Sequence, residues 1–324
     1  MPAQILAIAW QRVYAAVHDR TAHLPATVRG LLWTSCAGAI FSVLNATMRK
    51  LTLTVDPFQS QFLRYAFGLA VLLPIIWHHG VAAYKPKQIG GQFTRGFVHT
   101  VGLCLWFIAL PKIPLADMTA IGFTGPIFIM IGAYLFFREP MHWERWLATV
   151  LGFIGVMIVV GPRIQWGGGG GGWHHLIMLA SAPVFAGSFL LTKALTRYEN
   201  TGTILVWQSI TVSLFSLPLA LLNWRPLTGG EWAGYLLCGV LGSAGHYCLT
   251  RSFKVADISA TQSAKFLDLV WSAVLGWLLF SDVPSHSTIA GGMLISAATV
   301  WVARRESQRN RSKNAAPQST LDPI

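Results

Sequence analysis

Ten apolar runs of about twenty residues follow one another along the chain, separated by short connections. An α-helix rises about 1.5 Å per residue, so such a run spans the roughly 30 Å hydrocarbon core of a bilayer. Only 11% of the residues are charged, which leaves too little polar sequence for a soluble domain. The pattern predicts an all-α integral membrane protein with ten transmembrane helices. The runs lie near residues 30–48, 58–77, 93–111, 115–137, 145–162, 174–194, 203–223, 232–250, 258–280 and 285–303.

Positive charges are unequally divided between the two sides of the predicted bundle. With the N-terminus in the cytoplasm, seventeen Lys and Arg residues, Arg95 and Arg145 among them, fall in cytoplasmic segments and five on the opposite side. This positive-inside bias places both termini in the cytoplasm. The net charge of +12 is therefore a topology signal. It favours contact with anionic lipid head groups and gives no reason to expect nucleic acid as a partner.

The second half of the chain repeats the first. The segment FTGPIFIMIGAYLFFREP at 123–140 aligns with FLDLVWSAVLGWLLFSDVP at 266–284, and FSVLNATMRKL at 41–51 aligns with FAGSFLLTKAL at 185–195. Each half then holds five helices. Because five is an odd number, the second half enters the membrane from the opposite side. The chain is predicted to contain two inverted five-helix repeats, an arrangement found in many secondary transporters.

The repeats are flanked by segments of different composition. The N-terminal segment has apolar residues on one helical face, which fits a helix on the inner membrane surface or a disordered segment. Glu139 and Asp282 lie just before the start of the last helix of each repeat and are predicted to place negative charge near a positive helix end. The predicted parts are a cytoplasmic N-terminal segment at 1–28, a first repeat at 29–163, a flexible Gly-rich linker at 164–173, a second repeat at 174–305 and a disordered cytoplasmic tail at 306–324.

The stretch SAKFLDLVW at 263–271 puts two charges in the middle of the ninth predicted helix. At helical spacing, Lys265, Asp268 and Ser272 share one face, and the opposite face is apolar. Charges at this depth are costly, so the polar face is expected to turn towards the protein interior or a wet cavity. Lys265 would then bind a carboxylate or phosphate, and Asp268 an amine or a proton. An ion pair that serves helix packing alone is the alternative.

Other helices supply further candidates for a substrate site. Arg64 lies about 10 Å deep by the helical rise and either snorkels outward, pairs with a carbonyl or faces the cavity. In the cavity, Arg64, Lys265 and Asp268 would sum to +1 and favour a substrate with an anionic group. No metal-type spacing of cysteines occurs, and no metal or cofactor is expected. The remaining candidate substrate contacts are Gln262, Ser272, Asn45, Trp106, Trp271 and Tyr247.

These features resemble the drug/metabolite transporter superfamily in its EamA-type branch. The resemblance covers about residues 30–305 and rests on the two five-helix halves, on QFLRYAFG and ALPKIPLADMTAIGFTGPIF, and on the endings LFFREPMHWERWLATVLGFIGVMIVVGP and LLFSDVPSHSTIAGGMLISAATVWVARRE. The second half departs from the first where Leu269 replaces a repeat of Pro126, and Asp282 replaces the more usual Glu. The resemblance implies a multi-pass carrier of small metabolites in the bacterial inner membrane that works by alternating access.

Two other classes of function are alternatives at this point. An intramembrane enzyme would need a nucleophile–base or metal constellation, and Ser272 near Asp268 is the single hint of one, so no enzymatic activity is predicted. A membrane sensor or scaffold usually carries a soluble signalling domain, and none is expected from the sequence. The substrate, the direction of transport, coupling to protons and formation of a homodimer are left open.

Overall fold

The structure is a computed structural model that describes residues 23–109, 121–122, 124–139, 142–160, 172–268, 270–271, 274, 278 and 286–315. These residues form ten α-helices and a short 3-10 helix at Val81–Tyr84, and no strand occurs among them. Each predicted apolar run therefore corresponds to one helix. The helices α1 to α10 are Ala26–Thr52, Pro57–His79, Ile89–Ala109, Gly125–Phe137, Trp143–Val160, Gly172–Leu195, Thr201–Ala220, Gly229–Val255, Ile258–Lys265 and His286–Ala315.

Within the described residues, four helices are long and apolar enough to cross a membrane by length and hydropathy alone. They are Ala26–Thr52, Pro57–His79, Leu176–Leu195 and Thr201–Ala220. A shorter apolar helix is α4, and α9 continues beyond Lys265 with helical backbone at 267–268, 270–271, 274 and 278. The prediction of an all-α membrane protein is confirmed.

Polar residues at the helix ends fix where several helices begin. The Asp56 side chain accepts the backbone N–H of Phe58 at 2.8 Å ahead of α2. Asn200 caps α7 in the same way through Thr203 N at 2.9 Å. A side-chain acceptor at this position satisfies one of the backbone donors that a helix start leaves unpaired. The connections at 53–56 and 196–200 are short, so α1 and α2 run in opposite directions, and so do α6 and α7.

The first helices of the two repeats run in opposite directions. The C-terminal end of α8 is a common reference, because it contacts both of them. Ser252 donates to the carbonyl of Gly30 at 2.9 Å, near the start of α1. Lys193, near the end of α6, donates to the carbonyls of Phe253 and Ala256 at 2.7 and 2.6 Å. The start of α1 and the end of α6 therefore lie on one side of the bundle, here called the N-side.

Helix packing is symmetric under exchange of the two repeats. The contacts of α1 with α8 and α9 are repeated by those of α6 with α3 and α4, while α2 packs on α7, α4 on α9 and α5 on α10. A Cβ added to Gly102 would touch the ring of Phe185, and one added to Gly245 would touch the ring of Phe41. These glycines hold matching positions in the two repeats. Their missing side chains let a phenylalanine from the other repeat approach the backbone.

Two expectations from the sequence need correction. Helix α10 continues to Ala315, so the tail predicted to be disordered from 306 is helical for its first part, because the polar segment prolongs the preceding helix. Helix α6 begins at Gly172, inside the predicted linker. Arg95 and Arg145, counted as cytoplasmic charges, are 2% and 4% exposed and bind side chains of other helices. Residues 1–22, 161–171, Asp282 and Leu269 lie outside the described residues.

Candidate functional site

A cavity of about 370 Å³ lies between the two repeats. Seven helices contribute to its wall, namely α1, α2, α3, α4, α6, α8 and α9. Its size falls within the range of about 300–1,000 Å³ that is usual for small-molecule sites. The residues that line it are Gly38, Phe41, Ser42, Asn45, Arg49, Arg64, Tyr65, His99, Leu103, Trp106, Gly122, Gly125, Pro126, Ile129, Met178, Ser181, Ala182, Phe185, Ala186, Phe189, His246, Gln262, Lys265 and Asp268.

The cavity lies towards the side opposite the N-side. Its lining includes Trp106 near the end of α3 and Met178 near the start of α6, and Met178 packs with Ala109 at the end of α3. The exposed Arg49, near the end of α1, is at the mouth. The cavity therefore runs from this side to about the middle of the bundle. His246 lies deep within the bundle, far from the start of α8.

Lys265 and Asp268 form an ion pair within the lining. Their Nζ and Oδ2 atoms are 3.4 Å apart, and the side chains are 20% and 28% exposed. Lys265 Nζ also stands 5.8 Å from the centroid of the Phe41 ring. A Cβ on Gly38 of α1 would overlap the Asp268 carboxylate, so the missing side chain at Gly38 lets α1 and α9 meet at the pair. The pair is thus part of both the cavity wall and the α1–α9 contact.

Arg64 is the second cation of the cavity lining in the middle of the bundle. Its Nε is buried and has no hydrogen-bond partner among the described residues. The guanidinium carbon lies 5.0 Å from the centroid of the neighbouring Tyr65 ring. No carboxylate of the described residues forms an ion pair with it. A guanidinium in this state can bind an anion, because its Nε–H is a donor that no described protein group accepts from.

Aromatic rings cover the rest of the wall. Phe185 and Phe189 are stacked with centroids 6.4 Å apart, and His99 meets Phe185 edge-on at 5.4 Å. Phe41 packs edge-on against His246 at 5.1 Å. Such rings provide a surface on which a flat apolar or heteroaromatic group can stack. The wall therefore combines aromatic faces with the charges of Arg64 and Lys265.

The structure brings six of the nine predicted contacts to this cavity and places two others, Tyr247 and Trp271, outside its lining. Tyr247 lies outside the lining, with its ring against Trp33 at 6.3 Å, because its neighbour His246 occupies the inward position on α8. Trp271 is not part of the lining either. Ser272 lies outside the described residues. The six that line the cavity are Lys265, Asp268, Gln262, Arg64, Asn45 and Trp106.

Several lining residues were missed as candidates from the sequence. Tyr65 and His99 carry no signal that separates them from other polar residues in apolar helices, since only the helix contacts make them neighbours. Phe41 and Phe185 did carry a signal, because the repeat alignment places an aromatic ring at the same position in both repeats, and both rings line the cavity. Among the described residues, no cluster of three His, Cys, Asp or Glu side chains could hold a metal ion.

The N-side is closed by polar contacts that join the two repeats. Glu139, after α4, accepts the backbone N–H groups of Ile258 and Ser259 at 3.0 Å each and the Ser259 hydroxyl at 2.6 Å. It therefore caps α9, a helix of the other repeat, rather than the helix that follows it in sequence. Glu139 therefore places a negative charge at a helix start, as predicted, but the helix is α9 and not α5. Arg145 binds Asp257 and Ser259 at 3.2 and 2.8 Å.

An all-helical bundle of two inverted five-helix repeats, with a polar and aromatic cavity between them near mid-depth, defines a multi-pass membrane transporter of small molecules. The chain belongs to the EamA-like transporter family, whose model matches residues 28–161 and 172–304. The two matched stretches correspond to the two repeats of the structure. The family assignment therefore confirms the resemblance seen in the sequence.

Individual relatives are transporters with different named substrates. A riboflavin transporter of Rhizobium johnstonii is 33% identical over 88% of this chain and 94% of its own length. An S-adenosylmethionine uptake transporter of Rickettsia felis is 29% identical over 85% and 92%. A pseudopaline exporter of Pseudomonas aeruginosa is 27% identical over 85% and 96%. A crystal structure at 17% identity matches with a TM-score of 0.72 over 88% of this chain and 98% of the other, which shows a shared fold.

Proposed function

We propose that the chain is a secondary carrier that moves a small metabolite across the bacterial inner membrane by alternating access. The metabolite combines a flat ring with an anionic or zwitterionic group. The observation that carries this proposal is the Arg64 guanidinium, whose buried Nε has no hydrogen-bond partner among the described residues, in an aromatic cavity. Placing an unpaired cation at this depth is costly for folding. An anionic substrate group that binds there would offset that cost.

The charges of the cavity support a substrate with a net negative or zwitterionic head. Arg49, Arg64 and Lys265 line it together with the single carboxylate of Asp268. The Lys265–Asp268 pair can bind both ends of a zwitterion, because each member of the pair is still partly exposed. Arg64 then adds a further positive charge for a carboxylate or phosphate. Phe41, Phe185 and Trp106 offer stacking faces for the ring.

The relatives support the flat ring of this substrate class. Riboflavin and S-adenosylmethionine, the substrates named for two of them, both join a flat heteroaromatic ring to a polar chain. Their cavities need not match this one in detail at 29–33% identity. A ring with a polar head is thus a substrate class for this chain, and none of the named compounds is assigned to it.

The closed N-side and the cavity on the opposite side describe one state of an alternating-access cycle. If the N-side is cytoplasmic, as the distribution of positive charges predicts, this state faces the periplasm. Opening towards the cytoplasm requires the contacts of Glu139 and Arg145 to break. Inverted repeats support such a cycle, because exchange of their conformations converts one facing state into the other.

A ligand screen on the purified protein tests the proposal. Compounds that combine a flat ring with a carboxylate, phosphate or amino acid, together with riboflavin and S-adenosylmethionine, are ranked by the rise in melting temperature, since a bound ligand stabilises the folded state. Arg64→Gln should abolish the shift of the best anionic ligand. Lys50→Gln removes an exposed cation that does not line the cavity and should keep it.

Reconstituted liposomes then separate transport from catalysis. A carrier moves the ligand chemically unchanged across the bilayer, and Arg64→Gln stops that flux. Conversion of the ligand without flux would contradict a carrier and favour an intramembrane enzyme. An unchanged thermal shift in Arg64→Gln would contradict the role given to this arginine.

A further inference from the structure

A buried chain of polar side chains lies beneath the cavity and joins five helices. It links α2, α3, α6, α7 and α8 through side chains that are at most 6% exposed. Its members are Tyr65, Arg95, His99, Ser188, Gln208 and His246. Tyr65, His99 and His246 also line the cavity floor. The transport proposal above does not use these hydrogen bonds.

Arg95 sets the direction of the hydrogen bonds. Its guanidinium only donates, so the contact of Nη2 with Gln208 Oε1 at 2.7 Å fixes that oxygen as the acceptor. The Gln208 amide nitrogen must then donate, and it lies 3.3 Å from both ring nitrogens of His246. Donation to Nδ1 leaves Nε2–H of His246 to meet Tyr65 at 3.3 Å. Donation to Nε2 would leave a buried N–H of His246 without an acceptor, which is costly.

The same matching of donors to acceptors determines the direction of the remaining hydrogen bonds. The Tyr65 hydroxyl oxygen accepts from His246, so its hydrogen is directed to Nε2 of His99 at 2.9 Å. His99 then carries its hydrogen on Nδ1 and donates to the Ser188 hydroxyl at 3.0 Å. Each donor in the chain meets one acceptor. The two histidines are therefore neutral and hold opposite tautomers, with Nδ1–H on His99 and Nε2–H on His246.

The surrounding charges oppose a proton on this pair of histidines. Among the described residues, the charged groups that face it are Arg64 on α2, Arg95 on α3, and Lys265 and Asp268 on α9. The neighbouring helices α1, α6 and α7 present uncharged side chains, such as Phe41 and Gln208. Three cations face the pair, and the one carboxylate is already bound to Lys265. A further positive charge becomes favourable once a negative charge enters the cavity.

We propose that the His99–Tyr65–His246 chain binds a proton together with an anionic substrate, so that the carrier is a proton symporter. The inference rests on the proposed function, because the substrate's negative charge at Arg64 and Lys265 is what allows protonation. A hydronium ion from the cavity gives a proton to the Tyr65 oxygen and becomes water, while the Tyr65 hydroxyl proton moves to Nε2 of His99. The new N–H bond of His99 points at the Tyr65 oxygen, and the new hydroxyl hydrogen of Tyr65 points back at the water. No other covalent bond forms or breaks.

Coupling of this kind is reciprocal. If the anion strengthens proton binding by a given factor, the proton strengthens anion binding by the same factor, typically about 5- to 150-fold. With the cavity facing the periplasm, the inward proton gradient then loads both ligands and drives uptake. Asp268, considered as a proton carrier from the sequence, becomes a partner of Lys265 and the substrate instead.

Binding of a matched pair of probes tests the proposal on the full-length protein. The probe is 2-naphthoate, a flat ring with a carboxylate that stays ionised between pH 6 and 8, and its neutral isostere 2-naphthamide is the control. Wild type should bind 2-naphthoate about 5- to 150-fold more tightly at pH 6 than at pH 8, with no such change for the amide. Tyr65→Phe and His99→Gln should each bind 2-naphthoate with the same affinity at pH 6 as at pH 8. His79→Gln, at the exposed end of α2, should behave as wild type.

Failure of the proton site and failure of the proposed substrate class give different results in this experiment. Binding of 2-naphthoate that does not depend on pH in wild type overturns the proton site and leaves the anion site standing. Absence of binding at both pH values counts against the proposed substrate class. In that case nitrogen NMR of histidine-labelled protein decides on the proton site, because opposite neutral tautomers of His99 and His246 are expected at pH 7. The same tautomer on both rings, or a protonated ring without ligand, would overturn it.

Discussion

At the scale of single residues, Lys265 and Asp268 show how a membrane helix accommodates charge. Their spacing in the sequence placed them on one face, and the structure pairs them at 3.4 Å in the cavity wall. Neither side chain is fully enclosed, so the pair is available to a ligand while each charge offsets the other. Arg64 differs from them, because its buried Nε has no hydrogen-bond partner among the described residues. That difference could not be read from the position of Arg64 in the sequence.

The first prediction concerns this ion pair. Lys265→Met should weaken binding of the anionic ligand by roughly tenfold or more, since a lost charge-assisted hydrogen bond is worth about 1.5–3 kcal/mol. The melting temperature should fall only slightly, because Asp268 is partly exposed. Affinity is measured by titration, and folding by thermal unfolding.

A double variant separates the substrate role from packing. Lys265→Met with Asp268→Leu removes both charges and keeps apolar volume. If the pair contacts substrate, the double variant folds and remains defective in transport. Full transport by the double variant would leave the pair as a packing feature. A Lys265→Met variant that unfolds while the double variant is stable would point the same way, because a lone buried charge destabilises more than a missing pair.

At the scale of helices, the cap of α9 connects the two repeats. Glu139 follows α4 and supplies the acceptor that the first turn of α9 lacks within its own sequence. An acid at a helix N-terminus also interacts favourably with the partial positive charge there. The contact therefore stabilises α9, which carries Lys265 and Asp268, and holds the N-side closed.

The second prediction is that Glu139→Gln opens the N-side. Loss of the charged cap should cost about 0.5–2 kcal/mol and raise the population that is open on this side. The readout is labelling of Ala186→Cys, in the cavity lining, by an impermeant maleimide applied from the N-side in a background without native cysteines. Several-fold faster labelling than in the unmodified background is expected.

Glu231 provides the matched control for this experiment. It caps α8 on the opposite side through Thr228, with Thr228 N donating to it at 2.8 Å. Glu231→Gln should lower the melting temperature to a similar extent without faster labelling from the N-side. Equal labelling in both variants would mean that Glu139 acts on stability alone and does not hold the gate.

At the scale of the whole molecule, the symmetry of the packing is the main organising feature. The partners of each helix in one repeat are repeated by those of its counterpart in the other. The side chains, however, break that symmetry at the centre. In the first repeat, Tyr65 contacts both His99 and His246. In the second repeat, the matching position is held by Gln208, which binds Arg95. In the proposed cycle, we therefore expect the two facing states to share an architecture and to differ in their polar contacts.

The third prediction concerns orientation in the membrane. In a cysteine-free background, Asn223→Cys in the connection between α7 and α8 should react with an impermeant reagent added to whole cells permeabilised only in the outer membrane. Lys85→Cys, on the N-side, should react only after the inner membrane is opened. The reverse pattern would invert the topology, and the cavity would then face the cytoplasm in this state.

The sequence by itself determined the class of fold. Runs of about twenty apolar residues have one stable solution in a bilayer, because every backbone polar group must be paired within the helix. The odd number of helices in each repeat determined the inversion, and the sparse charges in the ninth helix indicated the cavity. These signals are local or periodic, so they are present before any long-range contact forms.

Only the tertiary structure decided which polar residues meet. Glu139 caps a helix more than a hundred residues away, Arg95 binds Gln208 of α7, and Tyr247 lies outside the cavity lining. All three outcomes depend on how the helices are rotated and paired across the two repeats. Helical periodicity fixes which residues share a face, but packing against particular neighbours fixes where that face points.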